Sequence, residues 1–189
     1  MDELANRRLK AGKLPPDLLA SFLDDLNPAD KRVLLGPGVG EDAALVSFGS
    51  STLIAKSDPI TFATDRIGWY AIQVNANDIA ASGGVPKWFL GTLFLPENEP
   101  ASTARDIFKQ LHNAAAELGI TLIGGHTEIT VGLPRPIIAG TMLGEAAPSE
   151  TVNTSSAKPG NDVILTAGIA IEGTAIIARE SKVTLLKSG

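Results

Sequence analysis

The chain has 189 residues, and its hydrophobic fraction of 44% is sufficient for a folded core, so a disordered protein is excluded. Its 16 basic and 21 acidic residues give a net charge of −5, and the scattered basic residues argue against a general nucleic-acid binder. Without cysteine, the chain forms neither disulfides nor thiolate nucleophiles. Because it has no signal-peptide pattern and no apolar run of about 20 residues, the sequence predicts a cytoplasmic protein without a membrane span.

A short helix and a glycine-rich loop are predicted first along the chain. Apolar residues at helical spacing predict the helix over 17–26. The loop over 36–40 matches neither the P-loop nor the Rossmann motif. Its backbone amides, including those of Gly38 and Gly40, are able to bind phosphate, although an ordinary turn is the more common explanation for such a loop.

A β-hairpin is predicted next, with strands over 43–46 and 52–55. Asp42 lies at one end of this hairpin and Asp58 just past the other, so the two carboxylates are able to approach each other. Lys56 alternates with Asp58 and is a candidate phosphate partner. The alternatives are an ordinary lysine at a strand end and a turn-stabilising aspartate before a proline.

The next predicted helix, over 67–82, carries Asn77 and Asp78. Aspartate and asparagine are poor helix formers, yet three of them occur between 75 and 78, which indicates a polar function that overrides local preference. A buried hydrogen-bond network is the alternative explanation.

Strands over 88–95, 120–123 and 135–142 and a helix over 102–118 complete the main pattern. Strands and helices alternate, which predicts an α+β, α/β-like fold with a mixed β-sheet packed against helices.

A polar segment over 146–159 predicts a domain boundary. Residues 1–150 are expected to form the first domain. Residues 151–189, with a strand over 162–166 and a helix over 172–180, are expected to be a linker and the truncated start of a second α+β domain.

A second glycine-rich motif follows the strand at 120–123. Gly124 and Gly125 are predicted to form a loop in which a ligand comes close to the backbone. His126 and Glu128 alternate with Thr127, so their side chains are expected on one side. For His126 the open roles are metal ligand, phosphate contact and local hydrogen bond.

Asp42, Asp58 and Asp78 lie beside apolar or small residues, where an unpaired charge is costly. Carboxylates that gather in such surroundings repel each other unless a cation lies among them. Hard oxygen ligands favour Mg²⁺ or Ca²⁺, and Mg²⁺ commonly binds together with phosphates. The sequence therefore predicts a magnesium–nucleotide site without a Walker motif.

Four motifs, at 40–44, 57–61, 77–86 and 124–128, occur in an order that resembles the amino-terminal domain of the AIR synthase (PurM-like) superfamily. The resemblance is strongest to its AIR synthase-related, HypE-like group, whose name-giving member serves hydrogenase maturation. Members of the superfamily bind ATP with Mg²⁺ and transfer the γ-phosphoryl group. The resemblance thus implies an ATP- and Mg²⁺-dependent phosphoryl-transfer protein.

The resemblance also implies roles for single residues. Asp42, Asp58 and Asp78 match positions that hold metal ions, and Glu128 is expected to add a further ligand because His126 stands where kinase and HypE members have aspartate. The residues expected to contact the nucleotide are Gly38, Gly40, Asn77, Gly124, Gly125 and Thr127.

Two catalytic residues are expected as well. Lys56 is expected to bring positive charge to the transferred group, and His126 is the candidate base because imidazole titrates near neutral pH. The resemblance implies a homodimer through the amino-terminal domain and an unidentified small-molecule or protein acceptor. Two alternatives stay open: an inactive nucleotide-binding or regulatory dimer, and a structural dimerisation module whose carboxylates only form hydrogen bonds.

Overall fold

The computed structural model describes residues 8–24, 26, 28–63 and 65–188, and in these residues a six-stranded mixed sheet packs against helices. The helices are α1 (Pro16–Leu23), α2 (Ile67–Ala81), α3 (Ala101–Glu117), α4 (Ile171–Glu180) and α5 (Lys182–Ser188), with a 3-10 turn at Thr154–Ser156. The strands are β1 (Val33–Leu35), β2 (Ala44–Phe48), β3 (Ser51–Ile60), β4 (Val85–Pro96), β5 (Thr121–Thr130) and β6 (Ile137–Ala146). The predicted α+β class is confirmed.

The strand order is β1-β2-β3-β6-β4-β5, and β4 and β5 form its parallel pair. Helix α2 packs on β3 and β6, and α3 packs on α2. The sequence dictates these layers: α2 buries apolar residues around most of its circumference, whereas α3 buries one stripe, as expected of an inner and an outer helix. The buried residues of α3 are Ile107, Leu111, Ala114 and Ala115.

Three glycines form a row across the sheet, which we call the glycine row: Gly140 on β6, Gly91 on β4 and Gly125 on β5. They lie in register with one another and with Asp58 on β3. A Cβ atom on Gly140 would lie 2.6 Å from Nδ2 of Asn75 and 2.7 Å from Cε2 of Phe89. The missing side chain of Gly140 therefore makes room for the Phe89 ring and lets α2 approach the sheet.

The predicted loop at Gly124 and Gly125 is wrong, because β5 continues through both residues. Ile123 is an extra residue between the pairs Phe89↔Leu122 and Leu90↔Gly124, and it forms a β-bulge. The two glycines follow this bulge with φ angles of 156° and 150°, a backbone conformation that strongly favours glycine.

Two further predictions are corrected. Asp58 and Pro59 lie inside β3 and not just past a strand, because the pairing with β2 ends at Ala55 and leaves a free edge that tolerates proline. The predicted strand over 162–166 is not formed: Val163 and Ile164 are exposed, and no strand of the described sheet lies beside them to pair with.

The chain after β6 returns to the first half of the molecule. The Val152 amide donates to the carbonyl of Ser82 at 3.0 Å, and Oγ1 of Thr154 donates to the carbonyl of Gly40 at 3.2 Å. The domain boundary near residue 150 stays a prediction. No helix in the described ranges is long and apolar enough to cross a membrane.

Candidate functional site

Three carboxylates from three separate segments of the chain converge on one amine. The Nζ atom of Lys56 lies 2.8 Å from Asp78, 3.5 Å from Asp58 and 3.9 Å from Asp42. We call Asp42, Asp58 and Asp78 the carboxylate triad. The folded chain thus brings together the three aspartates that the sequence singled out.

The hairpin and helix α2 position the triad. In the β2–β3 pair, Ala44 lies opposite Ala55, which brings the residues just before β2 beside the second half of β3. Lys56 and Asp58 alternate with Ser57, so both side chains lie on the helix-facing side of the sheet. Asp78 reaches the same place from α2.

Asn75 connects α2 to the triad, and its role was not assigned from the sequence. Its side chain is completely buried and donates from Nδ2 to the carbonyl of Asp58 at 3.3 Å and to that of Ala71 at 2.9 Å. Its Oδ1 atom has no hydrogen-bond partner. An asparagine between apolar residues of α2 was the available signal, and the predicted alternative of a buried hydrogen bond holds for Asn75, one turn from Asp78.

Burial and charge act in opposite directions on Lys56, whose side chain is 11% exposed. Burial lowers the pKa of the amine, but the hydrogen bond that it donates to Asp78 and the charges of all three carboxylates outweigh burial and raise the pKa above its ordinary value. A raised pKa means that the charged amine stabilises the fold at every pH below its ordinary pKa, and that this stabilisation is lost only at more alkaline pH. Lys56 is therefore charged at neutral pH.

The triad fits a divalent cation by its chemistry. Carboxylate oxygens are the ligands that Mg²⁺ prefers, and three carboxylates with one ammonium leave a formal charge of −2. Within residues 8–24, 26, 28–63 and 65–188, however, no three acidic, histidine or cysteine side chains are placed so that they alone could hold a metal ion. In the triad, the amine of Lys56 stands among the oxygens.

His126 and Glu128 are not brought to the triad. They do lie on one side of β5, as predicted, with 3.2 Å between Nε2 of His126 and Oε2 of Glu128. Because His126 pairs with Thr92, next to the glycine row, both side chains lie on the helix-free face of the sheet, three strands away from β3. Within one chain, Glu128 and the triad therefore lie on opposite faces of the sheet, and the role of Glu128 as a metal ligand stays a prediction.

The predicted nucleotide contacts fall into separate groups. The loop with Gly38 and Gly40 adjoins Asp42, beside a cavity of about 120 Å³ that Asp42, Ser82 and Thr154 help to line. Asn77 is exposed and faces a separate groove of about 420 Å³ between α2 and α4. Gly38 and Gly40 thus lie near Asp42, whereas Asn77 faces a different groove, and the roles of all three as nucleotide contacts stay predictions.

The remaining three predicted contacts lie on β5. A Cβ atom on Gly125 would lie 2.1 Å from the carbonyl oxygen of Gly91, so the close approach of β4 already accounts for this glycine. Gly124 has no such neighbour: its nearest contact is Leu90, at 3.9 Å. Thr127 lies on the helix-facing side, beside Ala104 of α3. Their roles as nucleotide contacts stay predictions.

Comparison with known protein families gives a match over most of the sheet domain. The family model described as AIR synthase related protein, N-terminal domain, matches residues 40–146. The chain is 33% identical over 147 residues to thiamine-monophosphate kinase of Pyrococcus horikoshii, which covers 74% of this chain and 46% of that protein. It is 29% identical over 177 residues to selenide, water dikinase of Clostridium botulinum, with 87% and 49% covered. The chain thus spans about half the length of these curated relatives.

Solved structures share this fold. The HypE–HypF complex contains a chain that matches with a TM-score of 0.69 and 23% identity, over 86% of this chain and 52% of that one. The structure of AaThiL complexed with AMPPCP and TMP matches with a TM-score of 0.55 and 26% identity, over 69% of this chain and 40% of that one.

Proposed function

The chain belongs to the AIR synthase related family, and from this premise we propose that it forms the nucleotide-binding part of an ATP- and Mg²⁺-dependent phosphoryl-transfer enzyme. The relatives support this proposal, since two of them are named as a kinase and a dikinase and one is complexed with the nucleotide analogue AMPPCP. The observation that carries the proposal is the convergence of the three carboxylates of the triad on the ammonium of Lys56. The acceptor, a small molecule or a protein, is not identified by these residues.

In the proposed site, the carboxylate triad, the loop at 36–40 and Lys56 have separate roles. Asp42, Asp58 and Asp78 hold Mg²⁺, which when bound offsets the negative charge of the phosphates. The backbone amides of the loop at 36–40, next to Asp42, bind phosphate oxygens. Lys56 supplies a further positive charge beside them. Catalysis in this arrangement rests on position and charge neutralisation.

Replacement of Asp78 tests the metal assignment. The substitution Asp78→Asn removes the carboxylate nearest to the amine while it keeps the shape of the side chain. We expect titration calorimetry with a non-hydrolysable ATP analogue and Mg²⁺ to show binding that is weaker by roughly tenfold or more, because a charged ligand becomes neutral. Asp106→Asn, an exposed change on α3, serves as the control. Unchanged affinity in Asp78→Asn refutes the assignment.

A second function, nucleotide binding without turnover, is favoured by one observation. His126 is the general base that the sequence offered, and it lies on the opposite face of the sheet from the triad. ATP turnover by a chain of the relatives' full length separates the two functions. Binding without phosphate release in such a chain favours the regulatory role, and release of ADP favours the enzyme.

We further propose that the helix-free face of the sheet pairs with a second copy of the chain. Helices α2 and α3 cover the other face, whereas half-buried apolar side chains of β3, β4 and β6 line this one, among them Leu53, Leu90, Phe94, Ile137 and Leu143. An apolar face of this extent, next to the largely exposed edge strand β5, fits burial against an identical surface.

Light scattering after size exclusion tests this pairing. We expect the wild-type chain to have twice the mass of its monomer and Phe94→Asp to have the monomer mass, since a charge on this face opposes burial. Phe108→Asp, on the exposed side of α3, is the matched control and should stay dimeric. A monomeric wild type at tens of micromolar contradicts the proposal.

A further inference from the structure

Lys56 occupies the place that a cation would take in the carboxylate triad. Its ammonium lies within 4 Å of all three carboxylates, and its side chain is 11% exposed. We propose that Lys56 is an internal counter-ion that partly neutralises the triad when no metal is bound and competes with one divalent cation for it. This inference rests on the proposed function of the triad as a metal site.

The charges of the cluster support the competition. Three carboxylates within 4 Å of one amine repel each other, and water screens this repulsion only in part, since the side chains of Asp58 and Asp78 are 39% and 23% exposed while that of Asp42 is 58% exposed. The ammonium reduces the formal charge of the cluster from −3 to −2, and a divalent cation in its place would reduce it further, to −1. A divalent cation bound to the same oxygens would lie within a few ångströms of the ammonium and repel it. The two cations therefore exclude each other from the centre of the triad.

The ammonium of Lys56 can move out of the carboxylate triad when a metal ion binds there. Its ammonium sits on a flexible four-carbon stem, so it can move without a change in the backbone of β3. Asp42 lies 3.9 Å from the amine and follows the loop at 36–40, where the proposed function places phosphate. Displacement by the metal thus delivers the positive charge of Lys56 to the nucleotide.

The substitution Lys56→Met isolates the charge, because methionine keeps an unbranched apolar stem of similar length. The probes are MgCl₂ alone and CaCl₂ alone, without nucleotide, titrated into chelator-treated wild type, Lys56→Met and Lys56→Arg. We expect Lys56→Met to bind Mg²⁺ roughly tenfold or more tightly than wild type, because a positive charge no longer opposes the ion. We expect Lys56→Arg to bind as weakly as wild type. Lys109→Met, which removes an exposed lysine of α3, should leave the affinity unchanged.

Thermal unfolding adds a readout that does not depend on activity. In the presence of chelator, Lys56→Met should unfold at a lower temperature than wild type, because the triad has lost its counter-ion. Mg²⁺ should raise the unfolding temperature of Lys56→Met more than that of wild type. Equal Mg²⁺ affinity in wild type and Lys56→Met overturns the inference and leaves the metal site intact. If no variant binds either ion, the metal site of the proposed function fails and the inference fails with it.

A measurement on the wild type keeps the inference testable if Lys56→Met does not fold. The amine of Lys56 is held among carboxylates, so an amine-acylating reagent should label it slowly. Saturating Mg²⁺ should raise its labelling by several-fold in peptide mass spectrometry, while labelling of the exposed Lys109 stays constant. Labelling of Lys56 that does not change with Mg²⁺ overturns the proposed displacement.

Discussion

Gly144 allows helix α2 to lie directly against the sheet, and Gly144→Ala tests how close the two are. The added Cβ atom would lie 2.3 Å from Cγ2 of Ile79 and 2.7 Å from the carbonyl oxygen of Val85. Real Cβ atoms do not approach other atoms so closely. Ile79 is completely buried, and the Val85 oxygen belongs to the backbone of β4, so neither can move away freely.

The magnitude follows from two opposing contributions. Overpacking of a tightly packed core costs about 1–3 kcal/mol, and the contact with backbone places Gly144→Ala in the upper part of that range. The loss of conformational freedom in the unfolded chain offsets roughly 0.4–1 kcal/mol. We therefore expect a net loss of about 2 kcal/mol in the free energy of unfolding. Outward movement of α2 would also carry Asp78 away from Lys56, so Mg²⁺ affinity should fall as well.

Urea denaturation followed by circular dichroism measures this loss, with equal slopes required for a comparison of midpoints. Gly173→Ala is the matched control, because nothing lies within 4 Å of a Cβ atom at this position of α4. We expect the control to be as stable as wild type or more stable by up to about 1 kcal/mol. A Gly144→Ala variant with the wild-type midpoint refutes the close approach of α2 to the sheet.

Three further changes have definite expected outcomes. Gly125→Ala should destabilise the fold by more than about 2 kcal/mol in urea denaturation, because its Cβ would lie 2.1 Å from the Gly91 oxygen and its φ is 150°; wild-type stability contradicts this. Leu111→Ala should cost about 2–5 kcal/mol, since the side chain is buried between α3 and α2; a loss below about 1 kcal/mol contradicts its core position. The hydrogen bond from the Arg32 guanidinium lowers the pKa of Asp30 from 3.8 to about 2, so the stabilisation by this pair is present above the ordinary pKa and is lost as the pH falls through about 2. Carbon-detected NMR titration should show that Arg32→Gln returns the pKa of Asp30 towards 3.8, and an unchanged value contradicts the assigned cause.

The elements that carry the triad could be predicted from local sequence. Period-two and helical patterns located the hairpin and α2, and the hairpin alone indicated that Asp42 and Asp58 approach each other. The contact of Asp78 with Lys56 required the packing of α2 on β3, which no local pattern specifies. The pairing of Lys56 with the triad was missed for the same reason, although its alternation with Asp58 was visible.

The position of the glycine-rich motif at 124–128 in the fold could not be predicted, because it depends on the order of the strands in the sheet. The alternation of His126 and Glu128 correctly predicted that they share a side. Which side, and at what distance from the triad, follows from the order β3-β6-β4-β5, and that order arises from long-range pairing. Gly124 and Gly125 were assigned to a loop because glycine pairs are typical of turns, whereas a bulge and the nearby Gly91 carbonyl explain them in the fold.

The glycine row has a consequence for how mutations at this protein should be interpreted. Gly140 and Gly91 carry no functional group, yet their lack of a side chain leaves the space that the Phe89 ring and Asn75 occupy, and Asn75 in turn donates a hydrogen bond to the backbone of Asp58. The smallest chemical change available, the addition of one methyl group, is therefore among the most disruptive to the geometry around the carboxylates. A survey of variants that considers only charged and polar positions would overlook these glycines, although they set the distance between α2 and the sheet beside the triad.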